Sequence, residues 1–252
     1  EVYNYQAIRD GLIQAGVSFS TQSDSEVVLQ AYITYGADAF SMFSGMFAIA
    51  IYDKHTHGLI AARDRFGIKP LLYSVQDNGV AFASELRAFT RSGWCEGTLE
   101  DTALNGLFKY GSVQQPLTIL KNVNALEPGN YLRISLSETG ALNIQKQRYS
   151  SLYEDIESQR IDYKTAVKTL REKLEEVITL NQVSDTEIGC FLSGGIDSTA
   201  ILALMAKRSE KPIKAFSLGF EEDDLDESDI AKQTAHEFGA EFHKITLNDE
   251  AV

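Results

Sequence analysis

The stretch Ser193–Ser198, which reads Ser-Gly-Gly-Ile-Asp-Ser, combines side chains and spacing that could bind a phosphate group. Two adjacent glycines let the backbone pass close to a ligand, and a helix that begins there would offer unpaired N–H groups and a positive dipole end. Ser193 and Ser198 could donate hydroxyl groups, and Asp197 could hold a magnesium ion that accompanies a polyphosphate. The stretch lacks the Lys-[Ser/Thr] ending of a Walker A loop, so it predicts a polyphosphate site without that lysine.

The residues around this stretch predict how the chain positions it. Ile188–Leu192 is an apolar run short enough for a buried strand, and apolar residues recur at helical spacing within Thr199–Arg208. The pattern therefore reads strand, glycine turn, helix. The alternative is that Gly194 and Gly195 form only a turn, with Asp197 or Ser198 capping the next helix.

In order and setting, Ser193–Ser198 resembles the pyrophosphate loop of the ATP-pyrophosphatase enzymes. These enzymes cleave ATP between the α and β phosphates and leave AMP on a carboxylate or carbonyl. The resemblance implies ATP and Mg²⁺ as ligands, with Asp197 reaching the metal through Mg-ATP. It implies that the pyrophosphate is cradled by Ser193, Gly194, Gly195, Asp197 and Ser198, and that the backbone of Leu192 and Leu218 faces the adenine. For both leucines, the role of ordinary buried strand residues stays open.

The chain around this loop alternates strands and helices. An amphipathic helix over 166–178 precedes predicted strands 188–192, 213–219 and 242–247, with helices 198–208 and 227–238 between them. This alternation predicts an α/β domain with a doubly wound parallel sheet whose ligands bind at the carboxyl ends of the strands. The acidic run 221–227 favours a solvated loop, with Asp226 capping the next helix, over a metal site.

The first half predicts helices and antiparallel hairpins. Ser23 and Glu26 form a capping-box pattern for a helix that ends near Gly36, which places Asp24 in the first turn, where its charge suits the helix dipole. Segments 46–53 and 59–64 predict one hairpin, and 71–75 and 80–84 predict a second around the Asp-Asn-Gly turn 77–79. The first strand has no polar face, so we expect it to be covered on both sides in stacked sheets or between a sheet and helices.

Three segments of this half, 44–48, 63–71 and 84–88, resemble the glutaminase domain of class II glutamine amidotransferases. The resemblance implies an N-terminal-nucleophile fold of stacked antiparallel sheets with helices. The opening Glu1–Tyr5 is similar to the end of the family's Asn-Gly-Glu-x-Tyr-Asn segment. The family's N-terminal cysteine nucleophile, glutamine-clamping arginine and Asn-Gly oxyanion donors are therefore expected upstream of Glu1, so that no catalytic residue lies in this sequence.

Only two glutamine-binding residues carry over from that resemblance, Glu1 and Asp24, with Asp24 accepting the amino group of glutamine. The run Arg63–Leu71 has a plainer interpretation, in which Arg63 and Asp64 form a surface ion pair while Gly67 and Pro70 shape a loop.

The order of the two halves resembles glutamine-hydrolysing asparagine synthetase. We predict a glutaminase domain over 1–149, a linker over 150–164 and a synthetase domain over 165–252, with 126–132 similar to the segment that closes the glutaminase half. The implied reaction is the ATP-dependent amidation of aspartate, through β-aspartyl-AMP, with ammonia from glutamine. We expect a fragment truncated at both ends, incomplete in its parallel sheet and inactive alone.

Three alternatives stay open at this point. A relative of the same build could amidate another carboxylate, on a sugar, a peptide, a β-amino acid or an antibiotic precursor. A phosphoribosyl-transferring amidotransferase shares the first half, although Ser193–Ser198 stands where its phosphoribosyl site is expected. A nucleotide-binding regulatory relative would carry an inactive glutaminase.

Composition argues against nucleic-acid and membrane partners. The 252 residues carry a net charge of −13, which argues against nucleic acid, and contain no apolar run of membrane-spanning length. Cys95 and Cys190 lack metal-site spacing and are expected to be reduced thiols in a cytosolic protein. No metal ligand is expected among the histidines, which are His55, His57, His236 and His243. The family resemblance leaves a homodimer open.

Overall fold

The computed structural model describes residues 1–77, 79–137, 139–151, 161–184, 186–220 and 226–247. The chain divides into two compact units, Glu1–Ser158 and Gln159–Val252.

Unit 1 contains five α-helices, one short 3-10 helix over Gly36–Asp38 and two antiparallel sheets within the described residues. The helices are α1 Tyr5–Gln14, α2 Asp24–Tyr35, α3 Ala39–Met42, α4 Leu86–Arg91 and α5 Asp101–Tyr110. The strands are β1 Ala48–Asp53, β2 Gly58–Arg63, β3 Leu72–Gln76, β4 Gly79–Ala83, β5 Asn124–Ala125, β6 Asn130–Leu136 and β7 Leu142–Arg148. One sheet has the order β1-β2-β6-β7 and the other β4-β3-β5. Both predicted hairpins are confirmed, β1 with β2 and β3 with β4, while Asn78 in the second turn lies outside the described residues.

Successive side chains of β2 point to opposite faces of the larger sheet and belong to two separate cores. Ile60 and Ala62 join residues of α1, α2 and α3, whereas Ala61 packs with Leu132 and with Leu71 beside the smaller sheet. The larger sheet therefore lies between helices on one face and the second sheet on the other. This confirms the predicted α/β fold of stacked antiparallel sheets with helices.

The edge strand β1 departs from its prediction. Ile49 and Ile51 pack against the helix-side core, but Ala48, Ala50 and Tyr52 are exposed, Tyr52 at 55%. The expectation that this strand is covered on both faces is wrong for the described residues. An apolar sequence without a polar face shows what a strand could bury, but not how far the second sheet extends beneath it.

Helix α2 begins and ends where the sequence predicts, but its first turn is held differently. The Ser23 hydroxyl accepts a hydrogen bond from the Ser25 N–H at 3.1 Å. The Glu26 carboxylate accepts instead from the backbone N–H groups of Ser20 and Thr21, at 2.8 and 2.6 Å. The reciprocal capping box is therefore wrong, because the preceding loop supplies Glu26 with closer donors than Ser23.

Unit 2 is a three-stranded parallel sheet with helices. Its elements are α6 Tyr163–Asn181, β8 Gly189–Phe191, α7 Ile196–Arg208, β9 Lys214–Phe220, α8 Ser228–Glu237 and β10 Glu241–Leu247. The strand order is β10-β9-β8, and both pairings are parallel, which confirms the predicted parallel sheet. Leu202 and Met205 of α7 pack with Ala231 of α8 and with Cys190 of β8 in one core. Burial raises the pKa of the Cys190 thiol.

Two predicted segments fall partly outside the described residues. Helix α6 begins at Tyr163, capped by the Asp162 carboxylate, and so takes the last two residues of the predicted linker 150–164; residues 152–160 lie outside the described part. Residues 221–225 of the acidic run also lie outside it. Asp226, which follows them, accepts a hydrogen bond from the Ser228 N–H at the start of α8, although the N-cap position itself is taken by Glu227 and not by Asp226 as predicted.

Candidate glutamine and nucleotide sites

A cavity of about 690 Å³ in unit 1 brings together both predicted glutamine-binding residues. Glu1 and Asp24 line it, although α1 separates them in the sequence. The residues that line the rest of the cavity are Val2, Ser25, Val28, Leu29, the run from Met46 to Tyr52, Lys69, Pro70 and Ser84. Strand β1 therefore forms one wall of the cavity.

A short antiparallel bridge holds Glu1 at this wall. Val2 pairs with Gly45, the Met46 N–H donates to the Glu1 carbonyl at 3.0 Å, and the Glu1 nitrogen donates to the Met46 carbonyl at 2.8 Å. A Cβ atom built on Gly45 would lie 2.2 Å from the Glu1 carbonyl oxygen. Only glycine therefore permits this close approach of the two backbones.

Asp24 reaches the same bridge from helix α2. Its Oδ2 atom accepts a hydrogen bond from the Val2 N–H at 3.2 Å, and its Oδ1 atom accepts one from the Ser25 hydroxyl at 3.4 Å. The carboxylate thus lies at the cavity wall next to Glu1. A carboxylate in that place can accept hydrogen bonds from an ammonium group.

Arg63 and Asp64 are buried, at 4% and 0% exposure, and the predicted surface ion pair is wrong. The Asp64 carboxylate accepts hydrogen bonds from four backbone N–H groups, those of Phe47, Phe66, Ile68 and Lys69. The Arg63 guanidinium donates to the carbonyls of Gly67, Lys69 and Leu126 and to the side chain of Gln115. Backbone groups compensate both buried charges, because the loop folds around the two side chains.

Sequence reasoning missed Lys69, Pro70 and Ser84 as cavity residues. Each lies in a segment that carries the glutaminase resemblance, 63–71 or 84–88. The signal was therefore present in the sequence, but which residues of those segments face a cavity depends on the tertiary structure.

In unit 2, Ser193–Ser198 joins the carboxyl end of β8 to the start of α7. The Ser193 and Ser198 hydroxyls are 3.1 Å apart, and the Ser198 Oγ also accepts from the Ser193 N–H at 3.3 Å and donates to the Gly195 carbonyl at 3.1 Å. Asp197 is exposed in the first turn of α7. The loop therefore collects hydroxyl groups and a helix N-terminus in one place.

Gly194 lets this loop pass over helix α8. Its φ is +79°, and a Cβ atom there would lie 3.1 Å from Cγ2 of Ile230. Leu192 is 2% exposed and donates its N–H to the Phe216 carbonyl, whereas Leu218 is 50% exposed. A loop of this kind, with close backbone approach and hydroxyl donors before a helix, has the donor set that a polyphosphate needs.

Two further observations bear on ligand chemistry in the described residues. They contain no group of three or more His, Cys, Asp or Glu side chains placed to hold a metal ion by themselves. None of their helices combines the length and the apolar character that crossing a bilayer needs.

Comparison with protein-family models assigns both units. Residues 1–150 match the model described as "Glutamine amidotransferase domain". The chain belongs to the glutamine amidotransferase domain family. Residues 169–252 match a second model, described as "Asparagine synthase". The chain therefore carries the two segments in the order that the sequence resemblance implied.

Individual relatives of the chain agree with these family matches. It is 34% identical over 241 residues to asparagine synthetase [glutamine-hydrolyzing] 1 of Bacillus subtilis. The aligned region covers 96% of this chain and 37% of that relative. It is 34% identical over 261 residues to a putative asparagine synthetase [glutamine-hydrolyzing] of Mycobacterium bovis, covering 100% of this chain and 39% of the relative. It is also 30% identical over 271 residues to amidase chyE of Penicillium rubens, covering 100% of this chain and 38% of the relative. The chain thus spans about two fifths of the length of these relatives.

Among solved structures, the chain is similar to glutamine phosphoribosylpyrophosphate amidotransferase from Bacillus subtilis, complexed with ADP and GMP. The alignment covers 97% of this chain and 59% of that one, with a TM-score of 0.42 and 18% identity. A TM-score this low supports no argument from that structure.

Proposed function

We propose that this protein amidates the side-chain carboxylate of aspartate, using ATP and the ammonia released from glutamine, to form asparagine. One observation supports the proposal above the others. A single chain joins a glutamine amidotransferase unit, whose cavity is lined by Glu1 and Asp24, to an asparagine synthase segment with a Ser-Gly-Gly-Ile-Asp-Ser loop at the carboxyl end of a parallel strand.

In unit 1, the proposed ligand is glutamine. Asp24 accepts hydrogen bonds from its ammonium group, and Glu1 lies beside it on the same wall. Neither cysteine of the chain lines this cavity, since Cys95 packs near Phe89 and Cys190 belongs to unit 2. The proposal therefore keeps the nucleophile upstream of Glu1, as the family resemblance implies.

In unit 2, the proposed ligand is ATP with Mg²⁺. The glycine backbone and the hydroxyls of Ser193 and Ser198 hold the pyrophosphate portion, and Asp197 binds the metal ion, which offsets phosphate charge. Backbone at Leu192 and Leu218 faces the adenine. A carboxylate oxygen of aspartate attacks the α-phosphorus and displaces pyrophosphate. Ammonia then attacks the carbonyl carbon of the resulting β-aspartyl-AMP and displaces AMP, which retains that oxygen.

The decisive experiment measures product stoichiometry with the purified full-length gene product. Aspartate labelled with a heavy oxygen isotope in its side-chain carboxylate is incubated with Mg-ATP and either glutamine or ammonium. We expect equal amounts of asparagine, AMP and pyrophosphate, with one labelled oxygen in AMP, and glutamate only when glutamine is the nitrogen source. ATP cleavage to ADP, or unlabelled AMP, would contradict the proposal.

The relative named amidase chyE favours a second candidate, amidation of a different carboxylate. The same assay separates the two candidates. If AMP forms only when another carboxylic acid replaces aspartate, the second candidate is correct. If no acid supports AMP formation, both fail.

A further inference from the structure

One oxygen of Asp64 binds two segments that line the unit 1 cavity. Its Oδ2 atom accepts the Phe47 N–H at 3.2 Å and the Lys69 N–H at 3.0 Å. Phe47 and Lys69 both line the cavity, yet they are 22 positions apart in the sequence. Phe47 directly precedes β1, and Lys69 lies in the loop before β3. A single carboxylate oxygen therefore sets the separation between the backbones of two wall segments.

The other oxygen of Asp64 shapes the loop that presents Lys69. Oδ1 accepts the N–H groups of Phe66 and Ile68 at 3.1 and 2.9 Å. The backbone of Asp64 also donates to the Phe47 carbonyl at 2.9 Å. Because the side chain is fully buried, water does not compete for these bonds, and losing one leaves a buried N–H without a partner.

The connection continues from Phe47 to the predicted glutamine-binding residues. Met46, the preceding residue, exchanges two backbone hydrogen bonds with Glu1, and the next residue, Val2, donates its N–H to Asp24. A shift of Phe47 therefore reaches Glu1 through one peptide unit and Asp24 through two.

Arg63 holds the same loop from the other side. Its guanidinium donates to the Lys69 and Gly67 carbonyls at 2.8 and 2.7 Å and to the Leu126 carbonyl at 2.6 Å. Gly67 has a φ of +65°, and a Cβ atom there would lie 3.1 Å from Nη2 of Arg63. The loop thus follows the shape of the guanidinium closely. Asp64 binds the N–H of Lys69 while Arg63 binds its carbonyl.

We propose that Asp64 and Arg63 are positioning residues for glutamine, which hold the Glu1 edge and the Lys69 edge of the cavity at a fixed separation. This inference rests on the proposed glutamine-dependent function. Neither side chain is assigned contact with substrate. Their effect passes through the backbones of Phe47, Met46 and Lys69, so it concerns glutamine binding and not the use of free ammonia.

The test uses Asp64→Asn in the full-length gene product. Each Asp64 oxygen accepts two N–H groups, so an amide NH₂ in either orientation faces two donors that it cannot accept from. We expect the KM for glutamine to rise about tenfold, since misplacing a binding group by about 1 Å can cost up to about a hundredfold. The ammonium-dependent rate should stay at the wild-type value. Ile134→Val, a core substitution in β6 that keeps Arg63 and Asp64 and their hydrogen-bonding groups, is the control for lost stability and should leave the KM for glutamine unchanged.

Arg63→Lys is the second variant and keeps the test informative if Asp64→Asn does not fold. Lysine reaches fewer of the carbonyls that the planar guanidinium binds. We therefore expect the KM for glutamine to rise in this variant too, but by less than in Asp64→Asn. Amide hydrogen exchange supplies a readout that does not depend on activity. The amides of Val2, Tyr3 and Met46, which do not touch Asp64, should exchange faster in both variants and not in Ile134→Val.

The outcomes separate this inference from the proposed function. If the wild type hydrolyses glutamine and both variants keep its KM, the positioning inference is wrong and the function stands. If the wild type does not hydrolyse glutamine, the proposed function fails. In that case, amide hydrogen exchange decides the structural part of the inference, which is that Asp64 and Arg63 hold the Glu1 edge in place. Wild-type exchange rates at Val2, Tyr3 and Met46 in both variants would overturn it.

Discussion

Oδ2 of Asp24 accepts the backbone N–H of Val2 at 3.2 Å, so the first turn of α2 is tied directly to the segment that carries Glu1. An aspartate in the first turn of a helix ordinarily serves the helix dipole and faces solvent. Asp24 instead spans 22 positions in the sequence to reach the cavity wall. The Oδ2 atom of Asp24 therefore has a structural role, because it binds the Val2 N–H. The Oδ1 atom accepts a long hydrogen bond, at 3.4 Å, from the Ser25 hydroxyl.

Asp24→Asn should weaken glutamine binding. Hydrogen bonds to charged groups contribute about 1.5–3 kcal/mol, so we expect the KM for glutamine to rise about tenfold to a hundredfold, with ammonium-dependent activity unchanged. Asp101→Asn is the matched control, because Asp101 occupies the same first-turn position in α5 and does not line the cavity. Steady-state kinetics with each nitrogen source give the answer. Equal KM values in the two variants would remove Asp24 from the glutamine site.

Gly45→Ala should displace Glu1 from the cavity. The new Cβ atom would lie 2.2 Å from the Glu1 carbonyl and 2.9 Å from Cα of Val2, and backbone atoms cannot rotate away. We expect a lower Tm and a higher KM for glutamine. Gly11→Ala is the control, since nothing lies within 4 Å of its added Cβ and alanine in a helix gains about 1 kcal/mol over glycine. A Gly45→Ala protein with the wild-type KM and Tm would show that the bridge to Glu1 is not maintained in solution.

Gly194→Ala should impair the use of ATP. Its φ of +79° is costly for alanine, by about 1–2 kcal/mol, and the added Cβ would press on Ile230, which tilts the loop away from α8. Gly239→Ala carries a similar backbone cost at φ +66° but has no atom within 4 Å of its Cβ. Both variants should lose stability, but only Gly194→Ala should raise the KM for ATP, measured by pyrophosphate release. A matching rise in Gly239→Ala would assign the effect to stability alone.

The Asp226–Lys244 pair should respond to acid. A hydrogen bond from the Lys244 ammonium, at 2.6 Å, together with those from Ser228, lowers the pKa of Asp226 from 3.8 to about 2. A lowered pKa in the folded state means that the pair stabilises unit 2 above about pH 4 and that this contribution is lost as pH falls toward 2. The Lys244 side chain is 37% exposed, so screening by salt should weaken the ion pair and reduce its effect on stability.

Carboxyl NMR titration of Asp226 measures this directly. In Lys244→Met the pKa of Asp226 should rise toward its ordinary value, whereas Lys232→Met, on the exposed side of α8, should leave it unchanged. A pKa that is the same in wild type and Lys244→Met would show that the ion pair does not persist in solution.

Much of the secondary structure could be predicted because its signals are local. Helix α2 ends next to Gly36 as the sequence predicts, and the two predicted hairpins form as β1 with β2 and β3 with β4. The alternation of strands and helices in unit 2 likewise predicts a parallel sheet. Apolar periodicity and turn residues report on a few neighbouring positions, and in these segments the tertiary structure agrees with them.

Only the tertiary structure decided which distant groups meet. The sequence by itself determined the family resemblance, the two-part order and the pyrophosphate-like loop, and it named Glu1 and Asp24 as candidates. It did not determine that Asp64 is buried against four N–H groups, that Glu26 binds the preceding loop, or that β1 forms a cavity wall. A charged side chain takes whichever donors the folded backbone brings within about 3 Å, and that choice depends on segments far apart in the chain.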